Sequence, residues 1–292
     1  MSPPSRDPRR RLSLKVWPLD HVFGERLGSK LRPVISLLTD FGLGDPYVAQ
    51  VKAVILSYCR DAAIIDLTHE VQAFNELQAA FILKVSAPHM PEGTIHLCVI
   101  DPGVGTRRRG IILETARGDV FIGPDTGFMA PAAEELGVKA AYVIDESKLP
   151  ARRSETFHAR DVFAHVAGRL ALGAGPRELG ERAESYSRMV LPEPRPTAEG
   201  VEAMIMHVDR FGNLITNLKP ENLSSELGEE LLIELPSGKL RCRLVKSYGH
   251  VPEGSPLLTV GGTGYVELSV NRGSAAERFR LKPGDRILVR RG

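Results

Sequence analysis

Ile95-His96-Leu97-Cys98-Val99-Ile100-Asp101-Pro102-Gly103-Val104-Gly105-Thr106-Arg107-Arg108-Arg109-Gly110 passes from an apolar run into an acid, three glycines and three arginines. A run without polar alternation predicts a strand buried on both faces, as in a parallel sheet covered by helices. In open α/β sheets ligands bind beyond the carboxyl ends of the strands. Glycines there let the chain turn sharply or approach a ligand where a Cβ would clash. Asp101 and Arg108 are therefore candidate site residues, delivered by the third strand of the chain.

The flanking sequence repeats the pattern. Residues 34–38 are a short apolar strand ending in Thr39-Asp40-Phe41-Gly42-Leu43-Gly44. Asp45 as N-cap and Pro46 at the first helical position predict a helix, with Val48, Val51, Val54, Ile55 and Tyr58 at helical spacing. Residues 62–67 form a second strand, and Asn75 with Gln78 caps a helix running through Leu83. Residues 110–114 and 119–122 pair as a hairpin, 126–136 and 161–172 are helical, and 141–144 are extended. Strands alternating with helices predict an α/β fold with a mainly parallel sheet flanked by helices over residues 33–190.

Leu191-Pro192-Glu193-Pro194-Arg195-Pro196-Thr197 then reads as a stiff linker, assigned to 191–200. Beyond it helical patterns fade. Short runs at 201–208, 213–218, 230–234, 239–245, 257–260, 265–270 and 286–290 are separated by turn residues. They predict an all-β, barrel-like C-terminal domain over 201–292. Residues 1–32 hold Arg9-Arg10-Arg11, scattered prolines and no periodicity. They lack the apolar core of a secretory signal and read as a basic, disordered extension.

A charged fraction of 25% and an apolar fraction of 42% are those of a soluble globular protein. Net charge +2 is too weak a field to predict nucleic-acid binding, and no apolar stretch is long enough to predict a membrane span. Cys59, Cys98 and Cys242 are odd in number and widely spaced, which predicts reduced, buried thiols in a cytoplasmic protein.

The chemistry narrows by elimination. Gly103-Val104-Gly105 lacks the third glycine of a dinucleotide fingerprint, and no P-loop Gly-Lys-Ser/Thr is present. Asp40-Phe41-Gly42 mimics a kinase triplet without its partner motifs. His69-Glu70, His158, Asp161 and His165 do not have the spacing of a zinc helix, so no metal is expected. No G-x-S-x-G occurs and no cysteine has a reactive setting. A carboxylate, guanidinium groups and the imidazole of Thr156-Phe157-His158-Ala159-Arg160-Asp161 suit the positioning and activation of a water molecule. Asp40 is a candidate ribose-diol ligand or a turn aspartate. Asp209-Arg210-Phe211-Gly212-Asn213 is a ligand loop or a plain hairpin. Phe74 and Tyr248 are candidate stacking surfaces.

Thr39-Asp40-Phe41-Gly42, Asp66-Leu67-Thr68-His69-Glu70, the Asp101–Arg108 loop, Gly123-Pro124-Asp125-Thr126-Gly127, the His158 segment and Asp209–Asn213 stand in one order along the chain. Together they resemble the S-adenosyl-L-methionine (SAM) hydrolase family, adenosine-forming, also called SAM hydroxide adenosyltransferases and related to SAM-dependent fluorinase and chlorinase. The resemblance spans about residues 33–290. It implies a homotrimer with active sites between the α/β domain of one subunit and the β domain of the next. It implies cleavage of SAM by water to adenosine and L-methionine, with SAM as substrate and no cofactor or metal. The family's Asp-Arg-His triad falls on Asp101, Arg108 and His158. Asp40 is implied to hold the ribose hydroxyls, and Phe74 and Phe157 to line the ribose and adenine pocket. Asp209 is implied to meet the methionine amine. Asn213 and the backbone around Asn271 and Arg272 fall at the adenine edge, and Tyr248 packs on the base.

Halogenating relatives replace the triad with small or hydroxyl-bearing residues and carry an insertion soon after it. Here the triad is intact and Arg109-Gly110-Ile111-Ile112 follows without insertion, which favours hydrolysis over halide transfer or mere SAM or adenosine binding. Where relatives often show Asn-Ser-x-Gly, this chain has Gly261-Gly262-Thr263-Gly264, so backbone amides are left to meet the methionine carboxylate. Either His158 or Asp101 could take the proton of the attacking water.

Overall fold

The computed structural model describes residues 32–223 and 225–292. The expectation for residues 1–32 falls outside the described residues, apart from Arg32. The first half runs β1 Val34–Thr39, α1 Tyr47–Tyr58, β2 Ala63–Thr68, α2 Glu76–Ser86, β3 Ile95–Val99, β4 Gly110–Thr115, β5 Val120–Pro124, α3 Ala130–Glu135 and β6 Val138–Ile144. A π-helical turn Ala159–Phe163 leads into α4 Ala164–Ala171, followed by α5 Pro176–Leu179 and β7 Gly180–Arg182. The strands form one sheet in the order β2-β1-β3-β5-β4-β6-β7. Pairings are parallel from β2 through β1 and β3 to β5, and antiparallel from β5 through β4 and β6 to β7. β3 lies inside the parallel part and is buried at every position, as its unbroken apolar run requires. Two apolar clusters cover the sheet's faces. One is built on Ile35, Leu37, Leu97 and Phe163, the other on Leu38, Cys98, Phe121 and Phe128.

The second half contains β8 Arg195–Pro196, β9 Val201–Val208, β10 Leu214–Thr216, β11 Glu230–Leu235, β12 Gly238–Leu244, β13 Pro256–Val260, β14 Val266–Val270, α6 Ala275–Phe279 and β15 Arg286–Arg291. The order β10-β14-β13-β12-β11-β15-β9 closes through β9–β10 into a seven-stranded barrel, with β8 added outside β9. Closure removes the exposed edges that an open sheet would offer to other chains. Phe81 of α2 packs with Met206 and Ile215, joining the α/β layer to the barrel.

Three local expectations change. Pro46, not Asp45, occupies the cap of α1, with no side-chain hydrogen bond there. The helix expected over 126–136 is only Ala130–Glu135. Gly127 has φ +103° and lies so close to Arg188 that a Cβ would stand 2.9 Å from its carbonyl carbon, so the chain turns there before it coils. The helix expected from Asp161 starts earlier, in the π turn. Asn75 does cap α2, its side chain accepting from the Gln78 amide. All three cysteines are buried and free.

Candidate active site

Two parallel strands set the site. β1 leads out of Thr39 to Asp40, and β3 leads through Ile100 to Asp101. After Asp101 the chain closes a turn through Val104 N–H to Asp101 O (3.3 Å) and Thr106 N–H to Gly103 O (3.2 Å). Gly105 has φ +74°, and a Cβ there would come within 3.0 Å of the Glu155 carbonyl. That glycine lets the 101–108 loop lie against the segment carrying His158. Arg108 returns to Asp101, donating from Nε to Oδ1 at 3.0 Å and from Nη2 to Oδ2 at 2.5 Å. The same Nη2 reaches His158 Nδ1 at 3.1 Å, and the guanidinium lies 5.3 Å from the centre of the Phe163 ring. Asp101, Arg108 and His158 thus meet. The neighbouring Arg109 is drawn away, its Nε and Nη2 both donating to Asp125 Oδ2, while Asp125 Oδ1 accepts from the Ser187 amide at 2.8 Å.

This geometry settles the imidazole's tautomer. A guanidinium has only donors and is not deprotonated in proteins, so Nδ1 must accept. Burial, reinforced by the charges of Arg152 and Arg108, holds the His158 pKa below the ordinary histidine range. The ring is therefore neutral with its proton on Nε2. That Nε2–H is buried and has no protein partner. A donor in that state costs free energy unless a ligand or water meets it.

Asp101 and His158 border a cavity of about 280 Å³ whose walls also include Asp40, Phe41, Phe74 and Phe157, while Arg108 is bonded to both from outside its lining. Phe74 has φ +63°, a conformation unfavourable for a bulky residue, and its amide donates to Asp40 Oδ2 at 2.9 Å. Phe157 stands edge-on to Phe41 and Tyr47, with the Arg160 guanidinium 5.0 Å from its ring centre. Asp161 is buried and holds the segment before His158, accepting from the amides of Arg153 (2.9 Å) and Ser154 (2.8 Å) and from the Arg160 fork. These contacts keep its carboxyl below the usual range against the opposing effect of burial, which is the largest single influence. Asp161 is not among the residues singled out by sequence as site residues. Its signal was only its place in the Arg160-Asp161 pair.

The barrel residues form a second group. Asp209, Asn213, Tyr248, Asn271 and Arg272 line a cavity of about 590 Å³ together with Phe211. Asp209 Oδ1 accepts from the amides of Phe211 and Asn213, both at 2.9 Å, and Oδ2 accepts from Asn213 Nδ2 at 2.8 Å. The loop is thus an aspartate-locked turn between β9 and β10, with Gly212 at φ +82°. The Asn271 side chain donates to Val251 O at 2.8 Å, and Arg272 pairs with Glu253 at 3.1 Å. Tyr248 donates to Glu267 Oε1 at 2.5 Å. Sequence reasoning passed over Glu267. The available signal was a single acid inside the apolar strand 265–270.

The remaining polar candidates are engaged elsewhere. His69 contacts Thr39 Oγ1 (2.8 Å) and Asp66 Oδ1 (3.1 Å), and His165 contacts the Tyr58 hydroxyl (2.8 Å). Within one chain the two cavities share no lining residue.

Comparison with known proteins matches residues 35–180 to the SAM hydroxide adenosyltransferase N-terminal domain and residues 203–288 to its C-terminal domain. The chain belongs to the SAM hydroxide adenosyltransferase family. Family relatives include a protein of Salinispora tropica named (R)-S-adenosyl-L-methionine hydrolase, 39% identical over 89% of this chain and 98% of its own length. A protein of the same name from Thermus thermophilus is also 39% identical, over 87% and 98% of the two chains. A fluorinase of Actinopolyspora mzabensis is more distant, 27% identical over 89% and 98%. The hydroxide adenosyltransferase fold is shared with a crystal structure of an uncharacterized conserved protein from Thermotoga maritima, at TM-score 0.84 and 35% identity. That match covers 88% of this chain and all of the other.

Proposed function

We propose that this protein hydrolyses SAM at the ribose 5′ carbon, releasing adenosine and L-methionine, and that its substrate is the (R)-sulfonium form named in its relatives. The observation that carries the reading is that Asp101, Arg108 and His158 meet beside a cavity lined by Asp101 and His158, with a buried imidazole N–H that has no protein partner. Hydrolysis needs a water aligned opposite the sulfonium, because neutral water is a weak nucleophile and the thioether a ready leaving group. Holding reactants in such a geometry contributes up to roughly 7–11 kcal/mol in ideal cases.

The tautomer divides the roles. His158 Nδ1 is occupied by Arg108, so His158 donates from Nε2 to the water oxygen and orients it. Asp101 keeps carboxylate lone pairs beyond those used by Arg108 and accepts the proton as the oxygen bonds to C5′. The C5′–S electron pair leaves with methionine, and the proton passes on to solvent. Arg108 favours the developing hydroxide by charge. SAM is substrate here, and the reaction as drawn uses no cofactor or metal.

The 33–190 half then holds the ribose through Asp40, with Phe74 and Phe157 around it. The 201–292 half meets the methionine amine through Asp209 and the base through Asn213, Tyr248 and the backbone at Asn271 and Arg272. Separate cavities with exposed aromatics, Phe74 at 67% and Phe211 at 77%, support a homotrimer in which one subunit's catalytic cavity meets its neighbour's barrel cavity. Three reduced thiols support a cytoplasmic location; among the described residues no helix is long and apolar enough to cross a membrane.

The test is incubation of the purified protein with each SAM epimer in ¹⁸O-water, with products separated by chromatography. Adenosine carrying ¹⁸O at its 5′ hydroxyl, with methionine, is expected. No adenosine, or a 5′-halo-adenosine formed instead when chloride or bromide is added, would overturn the assignment.

A further inference from the structure

Thr39, His69 and Asp66 have the residue types of a hydrolase triad, yet they stand behind the catalytic cavity rather than in it. Thr39 is 3% exposed and His69 4%, and neither lines that cavity. They meet because of how β1 pairs with β2. Leu37 lies beside Asp66 but Leu38 beside Thr68, so β2 carries one extra residue at this point. Such a bulge re-aims the side chains around it. Asp66 Oδ1 comes to lie 3.1 Å from His69 Nε2, and His69 Nδ1 lies 2.8 Å from Thr39 Oγ1.

The direction of these contacts follows from the acid. Burial opposes its ionisation, but Lys52 at 2.6 Å and His69 hold the Asp66 carboxyl below its usual range. An ionised carboxylate only accepts, so the hydrogen of the neutral His69 ring is on Nε2, the nitrogen that faces it. Nδ1 then accepts from the Thr39 hydroxyl, whose oxygen accepts in turn from the Phe41 amide at 3.3 Å. On the other side of Asp40, the His69 carbonyl accepts from the Gly42 amide at 2.7 Å. One histidine therefore grips the chain both before and after Asp40. Asp40 itself does line the catalytic cavity, and its Oδ2 accepts from Phe74 in the loop that follows His69.

We propose that His69 is a positioning residue for ribose recognition: with its imidazole on Thr39 and its carbonyl on Gly42, it fixes the turn that presents Asp40 to the ribose hydroxyls. This rests on the reading above that Asp40 holds the ribose. Hydrogen bonds weaken steeply away from their preferred distance and angle. A carboxylate that must meet a diol therefore depends on the groups that hold its own backbone. Thr39, buried and outside the cavity, acts on the turn and not on the substrate.

The experiment is calorimetric binding of adenosine and of 2′,3′-dideoxyadenosine to the full-length wild-type protein, Asp40→Ala, His69→Leu and Thr39→Val. Each protein supplies its own ratio of the two affinities, so partial loss of folded protein does not alter the result. The wild type is expected to prefer adenosine by roughly 10²-fold or more, and Asp40→Ala to bring that ratio below about tenfold. His69→Leu and Thr39→Val are expected to lower the ratio in the same way, through weaker adenosine binding with dideoxyadenosine affinity unchanged. The wild-type ratio retained in both of these variants, or an equal loss of affinity for both nucleosides, would overturn the proposal and leave the role of Asp40 standing. Equal wild-type affinities for the two nucleosides, or the wild-type ratio retained in Asp40→Ala, would overturn the Asp40 reading and the proposal with it.

Discussion

Arg108 decides what His158 can do. With Nδ1 committed to the guanidinium at 3.1 Å, the imidazole can donate only from Nε2, and the mechanism proposed above therefore gives the role of base to the carboxylate of Asp101. Removing either partner loses the alignment of the water rather than the hold on the nucleoside. His158→Ala and Arg108→Ala are each expected to lower kcat by roughly 10²-fold or more, with adenosine affinity retained. Steady-state kinetics with calorimetry checks this, and unchanged turnover in both variants would remove the triad from the mechanism. Arg108→Lys is expected to behave like the alanine variant, since an ammonium keeps the charge but cannot fork across Asp101 and His158.

At the scale of an element, the π turn Ala159–Phe163 is what the His158 segment hangs from. Its wide turn is closed by Ala164 N–H onto Ala159 O. The carboxylate of Asp161 spans from this turn to the Arg153 and Ser154 amides, while Arg160 reaches both Phe157 and the Gln50 side chain of α1 at 2.9 Å. Asp161→Asn would set an amide donor against these donors, leaving at least one unsatisfied at a cost of about 1–3 kcal/mol. A lower melting temperature and a fall in kcat larger than any rise in KM are expected. A variant that melts earlier but turns over at the wild-type rate would show that the clamp serves stability alone.

Over the whole molecule two predictions follow from how the halves are joined and buried. If catalytic and barrel cavities meet across subunits, inactive Asp101→Ala and Asp209→Ala proteins should regain activity when unfolded and refolded together, because mixed trimers contain some sites with both residues intact. No recovery in such mixtures would argue for a site within one chain. The second concerns acid. Burial holds the pKa values of His96, His158, His165 and His207 below the ordinary value of about 6.5. Their neutral forms are compatible with the fold, so stability is full above that pH and falls as pH drops through it toward the folded values. Urea midpoints are expected to decline between pH 7.5 and 5.5, and a flat profile would contradict this. His96 belongs to a sealed network, Ser36 Oγ to Nδ1 at 2.7 Å and Nε2 to Asp119 Oδ1 at 3.3 Å. It has the residue types of a hydrolase triad, but its side chains are fully buried with no route for a substrate.

The unbroken apolar run before Asp101 was enough to place a buried strand in a parallel sheet. The spaced short runs beyond 200 were enough to predict a barrel-like β domain, because burial and turn chemistry leave their mark residue by residue. The set Asp101, Arg108 and His158 was likewise legible, as polar groups following such strands in a recognisable order. Hydrogen-bond direction was not legible, since it depends on which donor faces which acceptor across 50 residues of chain. Only the folded chain puts the guanidinium on His158 Nδ1 and leaves Nε2–H buried without a protein partner. Only the barrel turns Glu267 away from its apolar neighbours 266 and 268 and onto Tyr248. The residues that meet at the candidate site were written in the sequence; their protons were assigned by tertiary contact, because a proton's place is a property of the pair and not of the residue.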